Sequence, residues 1–246
     1  MTIGSESELV ALRRAGRAVA DALAAMKAAV APGITTAALD DIGKAALAPY
    51  DAISAPQRDY GFPGFNCISV NDAIVHGVPG PRAIEPGDLV KLDVTVVVDG
   101  FVADAAITVA VPPIEPARAA LVICAQHALA RALEVVRPGV KVREIGRAVQ
   151  TEVQRHGFHV LRELAGHGVG RKIHEPPQVP NFPDPLQRDV LHEGLVFALE
   201  PLVAERRSRV LEDADGWTLR TDSGAWAAHA EHTVLVTADG YELITG

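Results

Sequence analysis

The chain repeats itself at an interval close to half its length, and this repeat limits the possible folds more than any single motif. Ala22–Gly33 reads ALAAMKAAVAPG and Ala128–Gly139 reads ALARALEVVRPG. Each is the end of an alanine- and leucine-rich helix closed by Pro-Gly. Each is followed by a second helical stretch, Thr35–Leu47 and Lys141–His156. Further on, Gly87–Asp93 (GDLVKLD) aligns with Gly194–Glu200 (GLVFALE), so each half reads helix, Pro-Gly, helix, irregular segment, then a strand ending in an acid. Short repeats of 20–50 residues build solenoids. One repeat near half the chain length instead predicts a duplicated domain with pseudo-twofold symmetry, in which Asp93 and Glu200 face each other across the axis. A second acid follows in each half, Asp104 and then Glu231, which heads a strand of its own, Glu231–Thr237.

The first pair of acids lies on a hairpin. Asp99-Gly100 separates two apolar-rich stretches, Asp88–Val98 and Phe101–Val111. Asp-Gly is a strong signal for a type I′ turn, because both turn positions need positive φ. With those two residues in the turn, Val98 pairs with Phe101 and Thr95 with Asp104. Side chains alternate across a strand, which sorts the ribbon into two faces. Val90, Leu92, Val94, Val96 and Val98 with Phe101, Ala103, Ala105, Ile107 and Val109 make an apolar face. Lys91, Asp93, Thr95 and Val97 with Val102, Asp104, Ala106 and Thr108 make the other. Asp93 and Asp104 are then diagonal neighbours roughly 7–8 Å apart. Taken alone, two such acids are a solvated face; among so many valines they call for a positive partner, and a divalent metal is the natural one.

The 246 residues are 48% hydrophobic, ample for a sizeable core in one domain or two. A formal charge of −8 argues against a nucleic-acid partner, which would want a basic patch. Two cysteines, Cys67 and Cys124, are too few for a disulfide framework and suit a reducing compartment. The N-terminus lacks an apolar signal region, and no run approaches a membrane span. A cytoplasmic protein is expected.

Three histidines stand in loops with unusual neighbours. His167 is set among glycines in Gly166–Gly170, His174 precedes Glu-Pro-Pro-Gln, and His76 precedes Gly-Val-Pro. A single histidine is ordinarily structural or exposed, and His127, His156 and His159 are read that way.

In combination these residues resemble a known family. His76-Gly-Val-Pro, Asp93 and Asp104 eleven apart, Gly-His167-Gly, His174-Glu-Pro-Pro-Gln, Leu-Glu200-Pro and Glu231-His-Thr occur in the order found in type I methionine aminopeptidases, from about residue 8 to the C-terminus. The resemblance implies the pita-bread α/β fold, with antiparallel sheet inside, helices outside and two pseudo-twofold-related halves, about 8–112 and 113–246, forming a single domain over 1–246. It implies a site for two divalent ions, with Asp104 and Glu231 bridging, Asp93 chelating one ion and His167 with Glu200 completing the other. Such an oxygen-rich set suits Mn²⁺, Fe²⁺ or Co²⁺, with Zn²⁺ also admissible. The implied reaction is attack of a metal-activated hydroxide on the first peptide bond, removing the N-terminal methionine of peptides or nascent chains. Glu200 is the implied general base. His76 would stand near the scissile amide and tetrahedral intermediate, and His174 on the carbonyl beyond it. Thr95 is a candidate partner for Asp104. The family default is a monomer.

Departures from the family concern the pocket for the first residue. Phe62, Cys67 and Trp217 keep an apolar, polarizable wall. An ungapped alignment puts Asp59 where a pocket tyrosine is expected, Ile173 replaces an aromatic, and Ala227-Ala-His229-Ala230 replaces Ser-Ala-Gln-aromatic. A buried, unpaired charge would be costly. Either Asp59 points away, with Arg58 available to neutralise it, or the preferred first residue is not methionine. His229 either touches the ligands or simply packs. Two other readings remain: a pita-bread aminopeptidase with another preference, such as one acting before proline, or a non-catalytic pita-bread module that binds peptides or proteins. Modules of that kind typically lack one or more ligands; here all five are present.

Overall fold

A computed structural model describes residues 1–246. The first half runs α1 (Glu6–Ala29), α2 (Thr36–Leu47), β1 (Ile53–Ser54), α3 (Ala55–Tyr60), β2 (Cys67–Val70), β3 (Ala73–Val75), β4 (Leu89–Val98) and β5 (Phe101–Ala110). The second begins with α4 (Pro116–Leu133) and α5 (Val142–Arg155) and continues through β6 (His159–Val160), β7 (Ala165–Gly168), β8 (Glu175–Pro180), β9 (Val196–Leu199) and β10 (Leu202–Ala204). It ends with β11 (Val210–Glu212), β12 (Leu219–Thr221), β13 (Ala227–His229), β14 (His232–Val236) and β15 (Tyr241–Leu243). Every strand pair is antiparallel.

The hairpin forms in the register that Asp-Gly dictates. Asp99 and Gly100 have φ of 51° and 80°, as a type I′ turn requires, and Val98 pairs with Phe101 and Thr95 with Asp104. Arg14 on α1 donates to the Asp99 carboxylate at 2.6 Å, which ties the turn to that helix. The valine-rich face is buried against α1, whose Leu12, Ala15, Val19, Ala22 and Met26 recur at helical spacing and are all fully buried. Ser5 caps α1 by accepting from Glu8 N, and Glu6 and Glu8 place negative charge at its N-terminus. Alanines along the buried stripe let the helix lie close on the sheet.

The same arrangement recurs in the second half. Leu121, Ala125, Ala128 and Ala132 of α4 and Ile145, Val149 and Val153 of α5 pack over Phe197 of β9 and Val234 of β14. β9 and β14 pair as β4 and β5 do, within a five-stranded sheet ordered β15-β14-β9-β7-β8. Glu200 directly follows β9 and Glu231 directly precedes β14, so the acids of this half sit at one end of the pair.

The two sheets join where β5 meets the β13–β14 junction. Glu231 N donates to Ala106 O at 2.9 Å. Thr233 Oγ1 accepts from Asp104 N at 2.9 Å and donates to Asp104 O at 2.8 Å. Thr108 Oγ1 accepts from His229 N at 2.8 Å and donates to His229 O at 2.7 Å. These bonds pin the main chain on both sides of the central cavity, so the acids it carries cannot drift apart independently.

Candidate metal centre and substrate pocket

Asp93, Asp104, His167, Glu200 and Glu231 all line one cavity at that junction. Asp93 and Asp104 come from adjacent strands of the hairpin, Glu200 and Glu231 from the paired ends of β9 and β14, and His167 from β7. His167 Nε2 lies 3.4 Å from Glu200 Oε1 and 3.9 Å from Asp104 Oδ2. One ligand atom each from Asp104, His167 and Glu231 lies within 4.8 Å of the other two. Thr95 Oγ1 donates to Asp104 Oδ1 at 2.7 Å and so aims that carboxylate. His167 Nδ1 is 3.1 Å from Gly168 O, an orienting contact that leaves Nε2 toward the acids.

The glycines around His167 are there for clearance. A Cβ on Gly166 would meet Ala198 O at 2.4 Å, and one on Gly168 would meet Pro176 O at 2.1 Å. Only bare backbone lets β7 run between β8 and β9 at this point.

The cavity has no lysine or arginine among its lining residues. Four carboxylates therefore share a buried space without a side-chain cation. Burial, with mutual repulsion, pushes Asp93, Glu200 and Glu231 well above the usual carboxylate range, and burial lifts Asp104 to about 7 against the hydrogen bond from Thr95. Burial acts oppositely on His167, lowering it to about 4 and leaving a neutral imidazole with a free lone pair. A neutral imidazole among carboxylates lacking any counter-charge is a donor set that fits divalent metal ions.

The proposed substrate groups surround this cluster. His76 has φ of 56°, a left-handed conformation that a non-glycine residue holds only when its surroundings impose it. Ser69 Oγ accepts from Gly77 N at 2.9 Å and Gly77 O accepts from Ile68 N at 2.9 Å, fixing the next peptide and turning His76 into the cavity. Its ring is open to the cavity but hemmed in by protein, and burial with His174 nearby lowers it to about 4. His174 stacks edge-on to His167 with ring centroids 4.3 Å apart, and burial lowers its pKa as well.

Phe62, Cys67 and Trp217 line the same cavity, with Phe62 and Trp217 in a T-shaped contact at 5.4 Å. Ile173 joins this wall. Cys67 is buried opposite Asp93 in the β2–β4 register, and burial together with the nearby acids pushes its thiol up, so it stays protonated.

Of the two readings open for Asp59, the structure takes the one in which it points away, and another residue fills the position. Asp59 does not line the cavity; it is clasped by Arg58 through bonds of 2.5 and 2.8 Å, which hold its carboxyl below the usual range. Tyr60, one residue later at the end of α3, brings its ring to the pocket and its hydroxyl within 2.7 Å of His174 Nδ1. Ungapped alignment misses it because the short α3 helix rotates successive side chains by about 100°, a shift that a pattern match does not see. His229 also lines the cavity, although no spacing rule marks it as more than a packing residue. On the outer side, His127 and His156 lie 3.4 Å apart beside Glu152, which Arg155 also clasps; mutual hydrogen bonds and ion pairs account for that group.

Comparison with known proteins agrees with this geometry. The family model for metallopeptidase family M24 matches residues 10–238. Methionine aminopeptidase 2 of Bacillus subtilis is 38% identical over the whole chain and is itself 99% covered. The solved methionine aminopeptidase of Thermotoga maritima superposes with a TM-score of 0.96 at 35% identity, covering 100% of this chain and 99% of that one. The enzyme of Rickettsia prowazekii gives 0.95 at 33% identity with full coverage of both. Its helices outside and antiparallel sheets inside are the pita-bread fold. With acids and histidine gathered as the motifs require and the match spanning both halves, this chain belongs to metallopeptidase family M24.

Proposed function

We propose that this protein is a methionyl aminopeptidase that removes the N-terminal methionine from peptides or nascent chains. The observation that carries the reading is the adjoining of two surfaces in one cavity. A cluster of four carboxylates and His167 meets a wall of Phe62, Cys67 and Trp217 that suits a thioether. Relatives alike over the full chain carry the same activity in their names. One catalytic unit comprises both halves, because each supplies two of the four acids.

Two divalent ions, Mn²⁺, Fe²⁺ or Co²⁺ before Zn²⁺, would be held by Asp93, Asp104, His167, Glu200 and Glu231, with Asp104 and Glu231 as the shared ligands. When bound, such ions supply a nucleophilic water at neutral pH and polarise the scissile carbonyl. Glu200 would serve as the general base, holding the proton taken from the attacking water. His76, aimed into the cavity by its left-handed backbone, donates toward the scissile amide and steadies the tetrahedral oxyanion. His174, neutral and held by Tyr60, binds the next carbonyl along the substrate. Phe62, Cys67, Trp217 and Ile173 exclude water from the methionine side chain and orient it.

No helix is long and apolar enough to cross a membrane. Two buried free thiols and the proposed nascent-chain substrate support a cytoplasmic enzyme. The deciding experiment strips the protein with chelator, reloads it with Mn²⁺, Co²⁺, Fe²⁺ or Zn²⁺, and offers tripeptides differing only in the first residue. Metal-dependent release of methionine ahead of all other residues is expected. Hydrolysis without metal, or none with any metal, overturns the reading.

A further inference from the structure

Two residues before Glu231, and on the same face of the chain, stands His229. Its ring is 2% exposed, and neither nitrogen has a hydrogen-bond partner. Buried polar atoms are nearly always partnered, so such a group asks for an explanation. The ring is not there by default of its backbone, since the reciprocal bonds to Thr108 would hold any residue at this position. Nε2 lies 3.2 Å from Glu231 Oε2 and 4.0 Å from Glu200 Oε2. The approach to Glu231 is close enough for a hydrogen bond but is not aligned as one. It does match the edge of a coordination polyhedron, roughly 3.0–3.4 Å for donors each about 2.0–2.2 Å from a common ion. The wider gap to Glu200 falls below the roughly 4.2 Å that two donors on opposite sides of one ion would span.

We propose that His229 Nε2 is a further protein ligand of the metal centre, sharing an ion with Glu231 and Glu200. The inference rests on the metallopeptidase reading and adds a second imidazole to its donor set, alongside His167. An added nitrogen donor favours Co²⁺ and Zn²⁺ over the harder Mn²⁺. His229 therefore sets which ion the site retains, without itself touching substrate.

The test compares the full-length protein with its His229→Gln and His229→Ala variants, each stripped and reloaded with Co²⁺ or Mn²⁺. X-ray absorption on the Co²⁺ forms counts imidazole donors, and equilibrium dialysis gives affinities. The wild type should show two imidazoles per chain and both variants one. Co²⁺ affinity should fall at least about 10–100-fold in both variants, since losing even a group that only orients a ligand costs that much. Mn²⁺ affinity should fall less. Glutamine keeps a hydrogen-bond donor, so a His229→Gln protein with unchanged imidazole count and Co²⁺ affinity overturns the proposal, even if alanine weakens binding. Wild-type protein that takes up neither ion would overturn the metallopeptidase reading with it, and that failure is visible before any variant is made.

Discussion

The Tyr60 hydroxyl lies 2.7 Å from His174 Nδ1, joining two residues that line the proposed substrate pocket. If the phenol donates, the ring proton stays on Nε2, where a substrate carbonyl can accept it. Tyr60→Phe keeps the ring and removes only this bond. It should lower kcat/KM about fivefold, the rate equivalent of a net ~1 kcal/mol for one neutral hydrogen bond. The melting temperature should not move, because Tyr60 is half exposed. An unchanged kcat/KM would show that His174 is positioned without it.

Removing a bridging acid should be far more severe. Asp104→Ala or Glu231→Ala should abolish metal-dependent hydrolysis while leaving a folded protein, since each carboxylate reaches both ions in the proposed site. Metal content by elemental analysis, together with activity, checks this. Full activity at unchanged metal content in either variant would contradict a dinuclear site.

Metal-free protein should lose stability as pH rises from about 6.5 to 8. A carboxylate whose folded pKa is raised holds a proton in the native state that the unfolded chain has already released, so deprotonation removes native stability. Asp104 at about 7 places that loss in this range, and Asp93, Glu200 and Glu231, likewise raised by burial, act in the same direction. Below about 6.5 the trend is opposed by His76, His167 and His229, lowered to about 4, 4 and 3, because their unfolded counterparts take up protons there. Thermal melts in chelator across this range check the sign. Saturating divalent metal should flatten the dependence, since ligating carboxylates are ionised.

His76→Ala should retain metal but lower kcat by about 10²–10⁴-fold, the range for a positioned proton donor or oxyanion stabiliser. A variant in which only KM rises would make His76 a ground-state binding group instead.

First-residue preference should follow the apolar wall and ignore Asp59. Methionine should lead, with leucine close behind, because Ile173 forgoes an aromatic contact to sulfur worth about 0.3–1.5 kcal/mol. Arg- and Lys-initiated tripeptides should be poor substrates, because Asp59 is already clasped by Arg58 away from the cavity. Comparison of kcat/KM across the four, with Asp59→Ala as control, decides it. A basic residue overtaking methionine would reassign the specificity.

What the sequence made legible followed short-range rules. The Asp-Gly turn determines which residues pair across the ribbon, so the shared face of Asp93 and Asp104 is legible in the sequence. Helix, Pro-Gly and strand recur at a nearly constant offset, which brings Glu200 to the same place in the second half. Tyr60 was not legible, because one residue's difference on a short helix is a rotation rather than a pattern. The isolation of the His229 ring was equally hidden. Its nitrogens lack partners only because strands distant in the chain close around them, and no local motif records an absence. The His127–Glu152–His156 group depends on how α4 and α5 lean together, which their separate sequences do not state.

The turn at Asp99-Gly100 has one more consequence, for anyone wishing to edit this protein. Exposed loop tips are where chains ordinarily tolerate an added residue. Here a single extra residue that displaced the pairing by one would exchange the ribbon's two sides, sending Asp93 or Asp104 toward α1 and a valine into the cavity. The solvent-facing tip thus behaves as an indexing pin for chemistry buried elsewhere. Tags, epitopes or permuted termini belong at almost any other surface bend.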